Sequence, residues 1–167
     1  MIMRVFAAVF LSTLIAASPA LAQWQVRTSG TTASAWVRND DGTSLALNCA
    51  GAEEGRLRMD LTVTPTDAPG GDGSATFQVG GFALDVATEP YGPEGQRLQI
   101  LRIDIDYFDD QVTELRIQLK RGSVLSLPAT EAFQSVTFPL GGSGTAVTEL
   151  EAACANVWDI ARRIRGD

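Results

Sequence analysis

No histidine occurs among the 167 residues. That absence removes the Ser-His-Asp and Cys-His mechanisms, and with them the imidazole ligands usual for zinc, copper and iron. Cationic side chains are also scarce: 13 Lys and Arg stand against 20 Asp and Glu, a net charge of −7, and Lys120 is the one lysine. Nucleic-acid binding draws most of its affinity from cations on phosphates, so that class is excluded. Beyond the first 22 residues no apolar run approaches the ~20 residues a helix needs to cross a bilayer. A phosphate-cradling loop is missing as well, because Gly141-Gly142-Ser143-Gly144 has neither the lysine nor the spacing of a P-loop.

What is present begins with an export signal. Arg4 precedes an apolar run from Val5 to Ala17, Ser18-Pro19 breaks it, and Ala20-Leu21-Ala22 offers the small-x-small pattern that signal peptidase accepts. Residues 1–22 therefore read as a cleaved signal peptide, and 23–167 as a single domain with Gln23 first. Loss of Arg4 leaves 12 basic against 20 acidic residues, a net charge of −8. The expected location is the periplasm or the cell exterior, where two cysteines, Cys49 and Cys154, pair by default.

Alternating apolar and polar residues, punctuated by Gly, Asp, Asn and Pro, predict half-buried antiparallel strands. Trp24 and Val26 open the first, and Ala35 to Arg38 form the second. Asn39-Asp40-Asp41-Gly42 turns the chain, and Leu45, Leu47 and Cys49 return on one face. Leu57, Met59, Leu61 and Val63 point inward, with Arg56, Arg58, Asp60 and Thr62 outward. Residues 65–74 and 88–96 read as loops, the second carrying Tyr91, and Gly80-Gly81 divides two short runs. At Ile100-Leu101 the alternation slips, which predicts a bulge. Residues 112–119 admit both a strand and a helix; the β-branched neighbours and Gly122 favour a strand leading into a hairpin at 120–123. Pro139 points to an edge position or a bulge in the last strand.

The period then changes. Val147, Leu150, Cys154, Val157, Ala161 and Ile164 lay an apolar stripe along a helix over about 144–165, with Ser143 as its N-cap, late arginines and Gly166 as its stop. Cys49 lies in the inward phase of its strand and Cys154 in the stripe of the helix, so both thiols face one core. A Cys49–Cys154 bond would clip helix to sheet. The expected fold is mainly β, an antiparallel sandwich or barrel-like domain closed by one C-terminal helix.

Asp104, Asp106, Asp109 and Asp110 cluster in Ile-Asp-Ile-Asp-Tyr-Phe-Asp-Asp. Period two sets the first pair on one face and the turn adds the second pair, an arrangement compatible with Ca²⁺, although the spacing of a calcium loop is missing and a solvated strand face explains it more simply. No other cofactor is implied. Tyr91, an aromatic in a loop, is the candidate for partner contact.

The segment Phe138-x-Leu140-x-Gly142-x-x-x-Ala146-x-x-x-Leu150-x-x-x-Cys154 resembles the C-terminal strand, glycine turn and helix of small exported bacterial proteins of the invasion-associated locus B-like and type VI secretion accessory groups. The resemblance implies a β-rich domain whose terminal-helix cysteine pairs back to the sheet, and a periplasmic accessory role without catalysis. The expected function is an exported, non-enzymatic binding or accessory protein with a protein partner in the cell envelope. The alternatives are an inhibitor of a basic secreted enzyme such as lysozyme and, behind it, a small carboxylate-based hydrolase. Oligomeric state is not legible.

Overall fold

A computed structural model describes residues 23–66, 73–92 and 96–166; the expected signal segment, 1–22, lies outside them, as do parts of the expected loops at 65–74 and 88–96. Nine strands, β1 (Gln25–Ser29), β2 (Thr32–Arg38), β3 (Ser44–Ala50), β4 (Arg56–Val63), β5 (Gly73–Val79), β6 (Phe82–Tyr91), β7 (Gln99–Asp106), β8 (Val124–Leu127) and β9 (Val136–Pro139), form one antiparallel sheet. Helix α1 (Asp110–Arg121) falls between β7 and β8, and α2 (Ser143–Arg165) ends the chain. The spatial order is β1-β2-β3-β4-β7-β6-β5-β8-β9. Strand β6 turns the corner: its first part, Phe82–Thr88, pairs with β5, and Glu89–Tyr91 pair with β7.

Alternation produces the inner face that the sequence predicts. Leu45, Leu47, Leu57, Met59 and Leu61 are all at most 1% exposed. No backbone ladder joins β1 to β9, yet the two edges meet through side chains. Trp24 Nε1 donates to the Pro139 carbonyl (3.0 Å) and Asn39 Nδ2 to the Thr137 carbonyl (2.8 Å). The sheet is therefore open by hydrogen-bond topology and curled into a barrel-like shape. These donors also occupy carbonyls of β9, the edge strand that Pro139 foretold.

The Cys49–Cys154 disulfide joins β3 to α2 across a sequence separation of 105, with Cα atoms 5.8 Å apart. Its neighbourhood is tight: a Cβ on Gly51 would stand 2.8 Å from the Ala161 Cβ, so only glycine lets the β3–β4 turn close on α2. Trp158 Nε1 donates to the Ala50 carbonyl (3.1 Å), tying the helix to the same turn.

Four local readings are corrected. Residues 110–121 are helix, with Val112, Leu115, Arg116 and Leu119 buried at three- and four-residue steps and Asp109 accepting from the Gln111 and Val112 amides. Capping and helical period outweigh the β-branched residues, so two helices close the sheet, and 120–123 is a helix end instead of a hairpin. Gly122 is required there by packing, since a Cβ would meet Val79 Cγ1 at 2.3 Å. Strand β7 pairs with β4 in continuous register, without a bulge; Ile100 stays on the outer face, opposite Tyr91 of β6. Residues 88–91 extend β6. Finally, α2 is capped by Gly142 at φ 83°, while the fully buried Ser143 turns its hydroxyl onto the Leu119 and Leu140 carbonyls, 2.6 Å from each.

Candidate functional site

The outer face of β1–β4, β7 and β6 carries the polar half of each alternating strand, and register arranges it in rows. One row runs Gln25, Trp36, Ala46, Asp60, Arg102, Glu89. The next runs Arg27, Ser34, Asn48, Arg58, Asp104. Ser34 on β2 and Asn48 on β3 thus lie beside Arg58 of β4. A shallow cavity of about 290 Å³ opens above them, lined chiefly by Thr32, Ser34, Asn48, Glu53, Arg58 and Asp60.

The charges around this cavity are paired in advance. Arg58 Nη2 donates to both Glu53 oxygens (2.7 and 2.9 Å) and its Nε to Asp104 Oδ1 (3.3 Å). Asp60 accepts from Asn48 Nδ2 (3.1 Å) and from Arg102 Nε (3.3 Å). The Arg102 guanidinium stacks on the Tyr91 ring, 3.5 Å from its centroid. Burial works against the Arg102 charge, but hydrogen bonding to Tyr91 and Asp60 outweighs it and the pKa rises. Tyr91, half exposed, is therefore the outer end of a fixed chain Tyr91–Arg102–Asp60–Asn48.

The four aspartates of the acidic run are placed in separate roles. Asp104 pairs with Arg58. Asp106 Oδ1 accepts from the Phe108 amide (2.8 Å), Asp109 caps α1, and Asp110 lies in the first helical turn, where a carboxylate suits the helix dipole. Among the described residues no group of three or more Asp, Glu, Cys or His is placed to hold a metal ion.

The β7–α1 turn carries what the sequence reading passed over. Phe108 is 67% exposed, yet it is held edge-on to Tyr107 (5.3 Å between centroids) and tilted toward Trp158 (6.1 Å). Its ring lies over Gly55, where a Cβ would come within 3.3 Å of it. Gly55 has φ +74°, so both the backbone and the ring above call for glycine. Beneath, Arg116 stacks on Tyr107 (3.8 Å) and donates to the Tyr107 carbonyl (3.1 Å) and to Glu151 (2.9 Å), which Lys120 also engages. Burial raises the Tyr107 pKa, and the Arg116 charge offsets part of that rise. The sequence signal for Phe108 was an aromatic inside Asp-Tyr-Phe-Asp-Asp at the end of an alternating strand. Which of two adjacent aromatics is buried depends on where the strand stops, and that is not local information.

No family model matches the chain, and no curated protein matches it. Among solved structures, the crystal structure of invasion associated protein B from Bartonella henselae is similar over 77% of this chain and 96% of that one, at 17% identity and a TM-score of 0.41. A likeness at that level carries no functional argument. Among the described residues no helix is long and apolar enough to cross a membrane.

Proposed function

We propose that the mature domain is an exported, non-enzymatic binding or accessory protein that grips a protein partner of the cell envelope through the β7–α1 turn. The observation that carries this reading is Phe108: a large apolar ring, mostly in solvent, and already immobilised by Tyr107, Trp158 and the flat backbone at Gly55. An anchor ordered before binding avoids the ~0.5–1.5 kcal/mol that fixing a mobile side chain costs, and aromatic anchors dominate interface energetics. Asp106, Asp109 and Asp110 flank Phe108 along the turn as an acidic rim, two of them pinned by backbone amides. That rim favours a basic partner, and the net charge of −8 of residues 23–167 steers such a partner toward the domain. An inhibitor of a basic secreted enzyme, of the lysozyme kind, is the form of this reading that the rim supports.

The test is recovery of partners from periplasmic extract on immobilised mature protein, in parallel with Phe108→Ala. A basic protein retained by wild type, eluted by free wild type and recovered at least ten-fold less on Phe108→Ala is the expected result. Equal recovery on both columns would overturn the assignment.

A further inference from the structure

We propose that the cavity on the outer face of β2, β3 and β4 is a binding site for a neutral saccharide ring, separate from the Phe108 turn. The chemistry of the walls selects the ligand. No large apolar side chain lines the cavity; Ala33 and Cys49 turn their side chains to the core, and the hydrocarbon it presents is Ala50, the carbons of Thr32 and Ser34 and the stems of the polar side chains. A hydrophobic ligand would find little to bury against. A free anion finds its one lining cation, Arg58, already held between Glu53 and Asp104. A free metal ion finds the carboxylate charge already offset, Glu53 by Arg58 and Asp60 by Arg102.

What remains is unused hydrogen-bonding capacity of both signs, held in fixed positions. Arg58 uses Nη2 and Nε and leaves Nη1 free. Asn48 spends one N–H on Asp60 and keeps the other, together with its amide oxygen. Glu53 and Asp60 each retain lone pairs, because an ionised carboxylate accepts at about four sites. The Ser34 hydroxyl on the cavity floor has no partner among the described residues. Closely spaced donors and acceptors that are already ordered match vicinal hydroxyls, each of which donates one bond and accepts another. Ala50 and the carbon stems of Thr32 and Arg58 in the same walls meet the C–H faces of the ring. At about 290 Å³ the cavity lies at the low end of the ~300–1,000 Å³ typical of small-molecule sites, which limits it to one ring with its neighbours in solvent. Trp36, half-buried two residues beyond Ser34 on the same face of β2, offers an indole against which the next ring of a chain can stack.

The test is a titration of ¹⁵N-labelled mature protein with glucose, N-acetylglucosamine and the chitin tetramer, with glucuronate and CaCl₂ as charged comparisons. Expected are saturable shifts confined to Ser34, Asn48, Arg58 and their neighbours with at least one neutral sugar, and tighter binding of the tetramer than of its monomer. Ser34→Ala, which removes a hydroxyl and little volume, and Asn48→Ala should each weaken binding at least five-fold while thermal melting stays within a few degrees. Phe108→Ala should leave the titration unchanged, so the two sites fail separately. Three outcomes overturn the proposal: no saturable shift with any neutral sugar, shifts only with glucuronate or calcium, or shifts that survive both Ser34→Ala and Asn48→Ala.

Discussion

The two faces of the sheet built by β2, β3, β4 and β7 come from alternate residues of the same strands, and different physics holds them. Inside, Leu45, Leu47, Met59 and Leu61 are sealed, and each removes its full apolar area from water at ~25 cal/mol per Å². Outside, Asn48, Arg58, Asp60 and Arg102 are half-buried, and their ion pairs run between side chains that are 23–43% exposed. Pairs of that exposure contribute ~0–1 kcal/mol each. The inner face supplies stability, and the outer one supplies an ordered polar surface at almost no net gain in stability. A face that stability does not need is available for recognition.

The strongest test of this contrast is the clip that fastens α2 against the inner face. Reduction of Cys49–Cys154 is expected to destabilise the domain by ~2–5 kcal/mol, below or near the ~4.7 kcal/mol that loop entropy allows for about 100 residues. Hydrogen exchange with and without reductant should show residues 145–164 losing protection before 57–63. Equal loss in both would mean that Trp158, Arg162 and Gly51 hold the helix unaided. An adjacent pair on β4 sharpens the comparison. Met59→Ala should cost ~2–5 kcal/mol in urea denaturation. Arg58→Ala, its neighbour on the opposite face, should cost less than ~1 kcal/mol, and that smaller effect should shrink further at high salt. Similar costs would show that the outer network is structural.

The smallest effect concerns Asp41 in the β2–β3 turn. It accepts from the Thr43 hydroxyl (2.6 Å) and the Thr43 amide (2.9 Å), and these bonds hold its pKa below the usual carboxylate value. A depressed folded pKa stabilises the protein above the unfolded value of about 3.9, and that contribution is lost as pH falls through the lower folded value. An NMR titration of the Asp41 carboxyl should have its midpoint below about 3.9. Thr43→Val should move it upward.

Much of this was legible because alternation is a local signal. The inward set on β3 and β4, the glycine turns at 42 and 80–81, the stripe of α2 and the phases of both cysteines follow from neighbours within a few residues. Helix α1 was missed even though Val112, Leu115 and Leu119 spell it, because a 12-residue segment of mixed propensity is decided by its cap and by packing against α2 through Arg116 and Glu151. From sequence Tyr91 reads as a loop aromatic. It proves to be a strand residue stacked by Arg102, a residue 11 positions along the chain and one strand away. The acidic run was visible as a cluster in sequence, but the turn at Tyr107–Phe108 sends its members to different partners.

By itself the sequence determined which side of each early strand is apolar, where the chain turns, that a helix ends it, and that Cys49 and Cys154 face one core. Each of these depends on periodicity or turn chemistry over a few residues. Only the tertiary structure decided that β4 lies beside β7 with the β5–β6 hairpin beyond it, that Trp24 and Asn39 draw the two sheet edges together, and that Arg58 meets Asp104 while Arg102 meets Asp60. Those pairings join residues about 40 or more positions apart, and they exist only once strand order and register are set by burying the inner face as a whole.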